Sequence, residues 1–178
     1  MIPNTFIDIL FKCFHIFIYK KNMTKITMNI HLYLEEAIRL ELNVADLYSL
    51  FAQQFEEDYN FWWKLSNEEM NHASILKTGI EFSKLNKIPQ EIIPDNIDGL
   101  ISLNEKFPSI IDDCQKNPNR QKCFEVALEI ESSAGESHYQ EIMIKHTDND
   151  IVKIFQKLNK DDIDHYNRIK EYYSKNLL

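Results

Sequence analysis

Four long stretches of the chain repeat apolar side chains with the period of an α-helix. They cover about residues 30–57, 58–85, 120–146 and 148–175, and their apolar positions recur at i, i+3, i+4 and i+7. The 178 residues contain only 3 glycines and 5 prolines, fewer than strand-rich folds usually need for their turns. The pattern therefore predicts an all-α protein.

The breaks between these stretches predict how the helices connect. The first two helices follow each other directly, and so do the last two, whereas residues 86–99 carry two prolines and a glycine and predict an irregular segment. A short helix over 100–113, containing Pro108, and a second break at 116–120 complete a long crossover. Two tight hairpins joined by one long crossover are typical of a four-helix bundle, which we expect to occupy residues 30–175 as one domain.

Residues 1–29 are interpreted as an extension outside this domain. Residues 5–19 are apolar but interrupted by charged side chains, and neither a basic leader nor a small-residue cleavage site flanks them. They make a poor signal peptide and are too short to span a membrane. Two interpretations stay open: a surface or partner helix, or a start codon upstream of a true beginning at Met23 or Met28.

Charge and cysteine content narrow the range of partners. The net charge of −8, without a basic patch, argues against binding to nucleic acid or to an anionic membrane and is compatible with binding cations. The three cysteines form no Cys-x-x-Cys pair, so neither a disulfide framework nor a cysteine-ligated metal is expected. A reducing, cytoplasmic location is the expectation.

One acidic histidine motif occurs twice. Glu69-x-x-His72 lies in the second predicted helix and Asp162-x-x-His165 in the fourth. In each motif the acid and the histidine are one helical turn apart and therefore share a face. A single motif of this kind is usually a solvated pair, so the repetition carries the interpretation.

A lone glutamate interrupts the apolar stripe of each remaining long helix. Glu41 and Glu131 each follow an alanine by four residues, in the repeated pattern Ala-x-x-x-Glu. Each half of the chain is therefore one helix with a lone glutamate followed by one helix with the acidic histidine motif, which indicates a duplicated helical hairpin.

Packing the bundle would gather four carboxylates and two imidazoles near its middle. A buried carboxylate is costly unless it is paired, and the sequence offers too few buried cations to pair four of them. Two divalent ions would balance the four charges and accept all six donors. Mixed carboxylate and imidazole ligands suit iron or manganese, with zinc as an alternative.

This arrangement resembles the ferritin-like superfamily, specifically the rubrerythrin-like di-iron carboxylate proteins, over residues 30–175. The resemblance implies two iron ions held by these six side chains. By that likeness Glu69 and Asp162 would bridge the ions, Glu41 and Glu131 would be terminal ligands, and His72 and His165 would each bind one ion.

Two departures from the family pattern bear on these expectations. Asp162 stands where the family has a glutamate, and its shorter side chain could ligate one ion instead of bridging two. Rubrerythrins proper also carry an additional glutamate and a rubredoxin domain. Glu136 resembles the former but lies about 140° around the helix from Glu131, so it is either an extra ligand or a solvent-facing residue. No rubredoxin domain is expected.

The resemblance implies reduction of hydrogen peroxide, or of dioxygen, with electrons from an external rubredoxin-like donor, in a chain that could form a homodimer. Two alternatives stay open. One is an iron-binding, ferroxidase-like storage protein without turnover of an external substrate. The other is a metal-free helical adaptor whose duplicated acids no longer bind an ion.

The sequence also predicts roles for several side chains near the six candidate ligands. Tyr48 follows Glu41 by two turns on the same face and is either a core aromatic residue or a catalytic residue that hydrogen-bonds a ligand carboxylate. His138 is assigned beside the site or in the core. Glu68 and Asp161, which precede the two motifs, are expected to face solvent.

Overall fold

The chain is described by a computed structural model. Its backbone is described for residues 5–85, 88–89, 92, 97–134 and 146–177, and side chains in these ranges are described from residue 30 onward, except at residue 134. Within these ranges the chain is helical and contains no strand, which confirms the predicted all-α class.

Five α-helices and one short 3-10 turn, Glu56–Asp58, make up the described chain. The helices are α1 (Thr5–Gln54), α2 (Tyr59–Lys84), α3 (Asp98–Lys116), α4 (Arg120–Ala134) and α5 (Asp150–Asn176). Helix α1 packs along α2 and α3, and α4 packs on α5. Asn149 caps the start of α5 by accepting hydrogen bonds from the backbone N–H groups of Ile151 and Val152.

The helix bounds follow the predictions for α2 and α5 within two residues and differ elsewhere. Helix α1 begins at Thr5, about 25 residues before the predicted start near residue 30, so the backbone of the extension continues the first bundle helix. Helix α3 extends over Asp98–Lys116, beyond the predicted 100–113, and retains Pro108 inside it. The last part of the predicted fourth-helix range, residues 135–145, lies outside the described residues.

A polar layer crosses the bundle between two apolar clusters. We use this name for Glu41, Glu69, His72, Glu131, Asp162 and His165. On one side of it lies a cluster built around Tyr48, Trp62 and Phe124, and on the other side a cluster built around Leu34 and Leu76. Each long helix therefore changes from apolar to polar and back, which places the ionisable groups at mid-height.

A buried ionic contact ties the start of α2 to α4 and α5. The carboxylate of Asp58, which is fully buried, accepts hydrogen bonds from Nε and an amino group of Arg120 at 2.6 and 2.8 Å. It also accepts one from the hydroxyl of Tyr172 at 2.9 Å. Bidentate arginine pairs are among the stronger and more directional ion pairs, so this contact fixes the relative rotation of three helices.

None of the described helices combines the length and the apolar content needed to cross a membrane.

Candidate metal centre

Four of the predicted ligands converge in the polar layer. One donor atom from each of Glu69, His72, Asp162 and His165 lies within 4.8 Å of the other three. These residues come from α2 and α5, and three of the four are buried. The motif spacing puts the acid and histidine of each helix on one face, and the packing of α2 against α5 brings the two motifs together.

Glu69 lies between the two histidines. Its Oε2 atom is hydrogen-bonded to Nδ1 of His72 at 3.0 Å, and its Oε1 atom is 2.6 Å from Nδ1 of His165. The two imidazole rings are nearly parallel, with an interplanar angle of 16° and centroids 5.3 Å apart. One carboxylate oxygen thus faces each histidine, an arrangement that suits a carboxylate bridging two ions.

Each lone glutamate approaches one of the histidines. Oε2 of Glu41 is 3.5 Å from Nδ1 of His72, and Oε1 of Glu131 is 3.9 Å from Nδ1 of His165. Asp162 is on the His72 side, with its Oδ1 atom 3.6 Å from Nδ1. Four carboxylates from four helices therefore surround the two Nδ1 atoms.

The donor set is compatible with a divalent ion. Nδ1 of His165 is buried and makes no hydrogen bond within the described chain, because its 2.6 Å contact with Glu69 lacks hydrogen-bond geometry. A buried polar atom without a partner costs about 1–3 kcal/mol, which ligation would remove. Carboxylate oxygens and imidazole nitrogens are the ligand atoms that iron, manganese and zinc accept.

In the metal-free protein, burial and neighbouring carboxylates raise the pKa values of three carboxyl groups of the polar layer. Burial and then the charge of Glu69 raise the pKa of Asp162 to about 7. Burial also raises the pKa values of Glu41 and Glu131 well above the usual range, and neighbouring carboxylates add to the effect. Such mutual repulsion is what a divalent cation at the same place would relieve.

Contacts between histidines and carboxylates favour the charged forms of His72 and Glu69. Burial alone would lower the pKa of His72, but Glu41 and Glu69 outweigh it and raise that pKa to about 11. Burial would raise the pKa of Glu69, but its contacts with His165 and His72 lower it to about 2. Without metal, a proton on His72 and an ionised Glu69 therefore stabilise each other.

Glu68 and Asp161 do not simply face solvent, which corrects the sequence-based expectation. Oε2 of Glu68 is 3.2 Å from Nε2 of His165, and Oδ2 of Asp161 is 3.6 Å from Nε2 of His72. Their side chains are only 29% and 30% exposed. We call these residues the outer acids. Each belongs to one motif and contacts the histidine of the other, because α2 and α5 run side by side.

Two cations hold the outer acids in place. Arg168 donates to Glu68 at 2.6 Å, and Lys157 forms an ion pair with Asp161. A cleft of about 250 Å³ is lined by both outer acids, both cations and both histidines. The Nε2 side of the imidazoles therefore faces the cleft, while the Nδ1 side faces the inner carboxylates.

Tyr48 contacts the site from the neighbouring apolar cluster. It is fully buried, and its hydroxyl donates to Oε1 of Glu131 at 2.6 Å. Both interpretations of Tyr48 therefore hold, because it is buried in the apolar core and also hydrogen-bonds a carboxylate of the polar layer, that of Glu131 on α4. Tyr33, which the sequence reasoning missed, is buried too, and its pKa is raised by burial and then by the charges of Glu41 and Asp162.

No family model, curated protein or solved structure matches the chain.

Glu136 and His138, for which the sequence predicts roles, lie outside the described residues. Whether Glu136 is an extra ligand or a solvent-facing residue therefore stays a prediction.

Proposed function

We propose that this chain is a non-haem di-iron oxidoreductase of the rubrerythrin type, built on a ferritin-like bundle of two duplicated hairpins. It would reduce hydrogen peroxide, or dioxygen, with electrons from an external donor. The observation that carries the proposal is the position of Glu69, with one oxygen toward each histidine and a further carboxylate beside each.

The six residues of the polar layer divide into two half-sites that share Glu69. Glu41, His72 and Asp162 would hold one ion, and Glu131 with His165 would hold the other. When bound, a reduced iron pair would supply the two electrons that, together with two protons from solvent, convert hydrogen peroxide to two water molecules. The four carboxylates balance the charge of two divalent ions, and their oxygens can change ligation as the charge on the metal changes.

The protein's own groups prepare the site for this chemistry. The outer acids lie 3.2 Å from Nε2 of His165 and 3.6 Å from Nε2 of His72, where they would favour a proton on Nε2 and so direct the Nδ1 lone pairs toward the ions. Tyr48 holds Glu131 in place from within the apolar cluster. The apolar clusters on both sides exclude water, so the cleft beside the outer acids is the described opening toward the histidines.

Metal content is the first test. Protein purified without oxygen is expected to hold about two iron ions per chain by elemental analysis. The double variant Glu69→Ala, His72→Ala should lose them. A matched control, Glu81→Ala with His31→Ala, removes the same residue types from exposed positions on α2 and α1 and should keep them. Loss in both variants, or no metal in the wild type, would contradict the proposal.

Turnover separates this proposal from its alternatives. An iron-loaded peroxide reductase consumes hydrogen peroxide repeatedly while an electron donor is supplied. A ferroxidase-like storage protein oxidises ferrous iron and accumulates it without such consumption. A helical adaptor binds no stoichiometric metal at all.

A further inference from the structure

The extension that precedes the bundle has no part in the proposed metal centre. Its backbone from Thr5 onward belongs to the same continuous helix, α1, as the bundle residues that follow. Leu34 of α1 is level with Gly79 and Phe155, because a methyl group at Gly79 would lie 3.5 Å from Leu34 and 3.9 Å from Phe155. Helix α2 ends five residues after Gly79 and α5 begins five residues before Phe155. About 24 residues of α1, or roughly 36 Å, therefore extend past both helices.

Residues 5–19 combine a narrow polar stripe with a wide apolar face. Polar residues recur at intervals of three and four along the helical backbone, which places them on one stripe: Thr5, Asp8, Lys12, His15 and Tyr19. The ten residues between them are all apolar and occupy the rest of the circumference. A helix with so wide an apolar face needs an apolar surface to cover it.

The apolar face of the extension does not continue the face that packs in the bundle. Three positions of the polar stripe stand eighteen residues, or five full turns, before a buried residue of the same helix. The pairs are Lys12 with Ile30, His15 with Tyr33, and Tyr19 with Ala37. The stripe is therefore in register with the bundle core, and the apolar face lies on the other side of α1 as a separate surface.

The extension is basic although the whole chain is acidic. Residues 1–29 carry four lysines and one aspartate, a net charge of +3, so residues 30–178 carry −11 of the total of −8. Three of the lysines directly follow the apolar stretch, and we call Lys20, Lys21 and Lys25 the basic cluster. The whole-chain charge, which argued against anionic membranes, averages over two parts of opposite sign.

We propose that residues 5–25 dock on an anionic lipid surface, with the helix in the plane of the bilayer surface. The apolar residues of 5–19 would enter the boundary between head groups and acyl chains, and the basic cluster would contact anionic head groups. Apolar area and attraction to anionic lipid both add to the affinity of such a helix. The proposal selects the surface-helix interpretation of the extension and requires no bound metal.

A second copy of the chain is the other occupant that this face could accept. Pairing two extensions would bring a net charge of +3 against another +3, whereas an anionic bilayer meets the same lysines with the opposite charge. Charge complementarity therefore favours the lipid surface.

Vesicle binding by the full 178-residue chain tests the proposal. The protein is sedimented with vesicles of phosphatidylcholine alone or mixed with phosphatidylserine, at low and high salt. We expect binding to the mixed vesicles that weakens as salt rises, and much weaker binding to phosphatidylcholine alone. Salt screens the attraction between the lysines and the lipid, and phosphatidylcholine lacks the anionic charge.

One pair of variants tests the apolar face. Phe14→Gln with Phe17→Gln should lower the affinity for mixed vesicles at least about 100-fold, because two aromatic side chains no longer leave water. The matched control, Thr5→Gln with His15→Gln, changes the polar stripe and should stay within about threefold of wild type. Glutamine is a better helix former than phenylalanine, threonine or histidine, so these changes preserve the helix.

A second pair of variants tests the basic cluster. Replacing all three of its lysines with glutamine should lower the affinity for mixed vesicles about fivefold per lysine, or about 100-fold together. The control replaces three exposed lysines of the bundle and should bind nearly as wild type does: Lys77, Lys106 and Lys160.

The absence of binding to mixed vesicles, or equal binding to both kinds of vesicle, would overturn the proposal. Equal losses in a variant and its control would do the same. A dimer in sedimentation velocity that Phe14→Gln with Phe17→Gln dissociates, without vesicle binding, would assign the apolar face to a second copy instead. Metal-free protein serves throughout, so these failures leave the proposed function standing. A chain that binds vesicles but no iron would contradict only the proposed function.

Discussion

Removing the carboxylate of Glu68 should weaken metal binding although Glu68 is not among the predicted ligands. Its Oε2 atom lies 3.2 Å from Nε2 of His165, the ring nitrogen that does not face the carboxylates of the polar layer. An acceptor there fixes the tautomer and orientation of a ligating imidazole. Loss of such a contact typically lowers metal affinity about 10–100-fold, or about 1.4–2.7 kcal/mol. We therefore expect Glu68→Ala to raise the dissociation constant by this factor.

Asp161→Ala should also weaken metal binding, but by a smaller factor. Its Oδ2 atom is 3.6 Å from Nε2 of His72, which is farther than the matching contact of Glu68. We therefore expect metal affinity to fall by about 10-fold or less. The stability of the metal-free protein should change by less than about 1 kcal/mol, because both outer acids are partly exposed.

Calorimetric titration with manganese(II), which is not oxidised during the measurement, gives the dissociation constants. Asp164→Ala is the matched control, because Asp164 pairs with Arg168, the same arginine that holds Glu68, and its loss leaves Glu68 beside His165. In a double-mutant cycle, Glu68→Ala and His165→Ala should be clearly less than additive. An affinity for Glu68→Ala within about twofold of wild type, or an equal loss in Asp164→Ala, would refute the reasoning.

Three further outcomes are expected. Gly79→Ala should stabilise the protein by about 0.5–1 kcal/mol in urea denaturation, because the added methyl group meets a leucine side chain at an ordinary 3.5 Å in the interior of α2; a loss of stability would contradict this. Asp58→Ala should cost about 2–3 kcal/mol, since Arg120 loses its bidentate partner, whereas a change below about 0.5 kcal/mol would show that the contact fixes nothing. Chelator-treated protein should lose stability as the pH rises through about 7 and then about 11, because the pKa values of Asp162 and His72 are raised in the folded state and their protonated forms favour folding at lower pH. Thermal melts at a series of pH values should show this decline, and a rise in melting temperature over that range would contradict it.

The sequence predicted the faces of the helices better than the contacts between them. Helical periodicity fixes which side chains share a face, so spacing alone paired Glu69 with His72 and Asp162 with His165. The convergence of the two pairs followed from the expected bundle, and one donor atom from each of the four residues does lie within 4.8 Å of the others. The bounds of α2 and α5 also followed from their apolar stripes.

Contacts that depend on the relative rotation of two helices could not be read from spacing. The outer acids sit beside the ligands in sequence, and only the packing of α2 against α5 turns each toward the other motif's histidine. For the same reason the sequence could not name the carboxylate that Tyr48 would contact, and the structure shows that its hydroxyl donates to Glu131 on α4. The reciprocal pattern of acids preceding both motifs was the available signal for the first of these contacts.

The shared carboxylate of Glu69 has a consequence for how the protein would fill with metal. An ion that bound beside His72 would hold Glu69 in its present orientation, with the other oxygen of the same group directed at the place beside His165. The second ion would meet a ligand whose ordering the first had already completed, so occupancy should rise as a pair, with few chains caught holding a single ion.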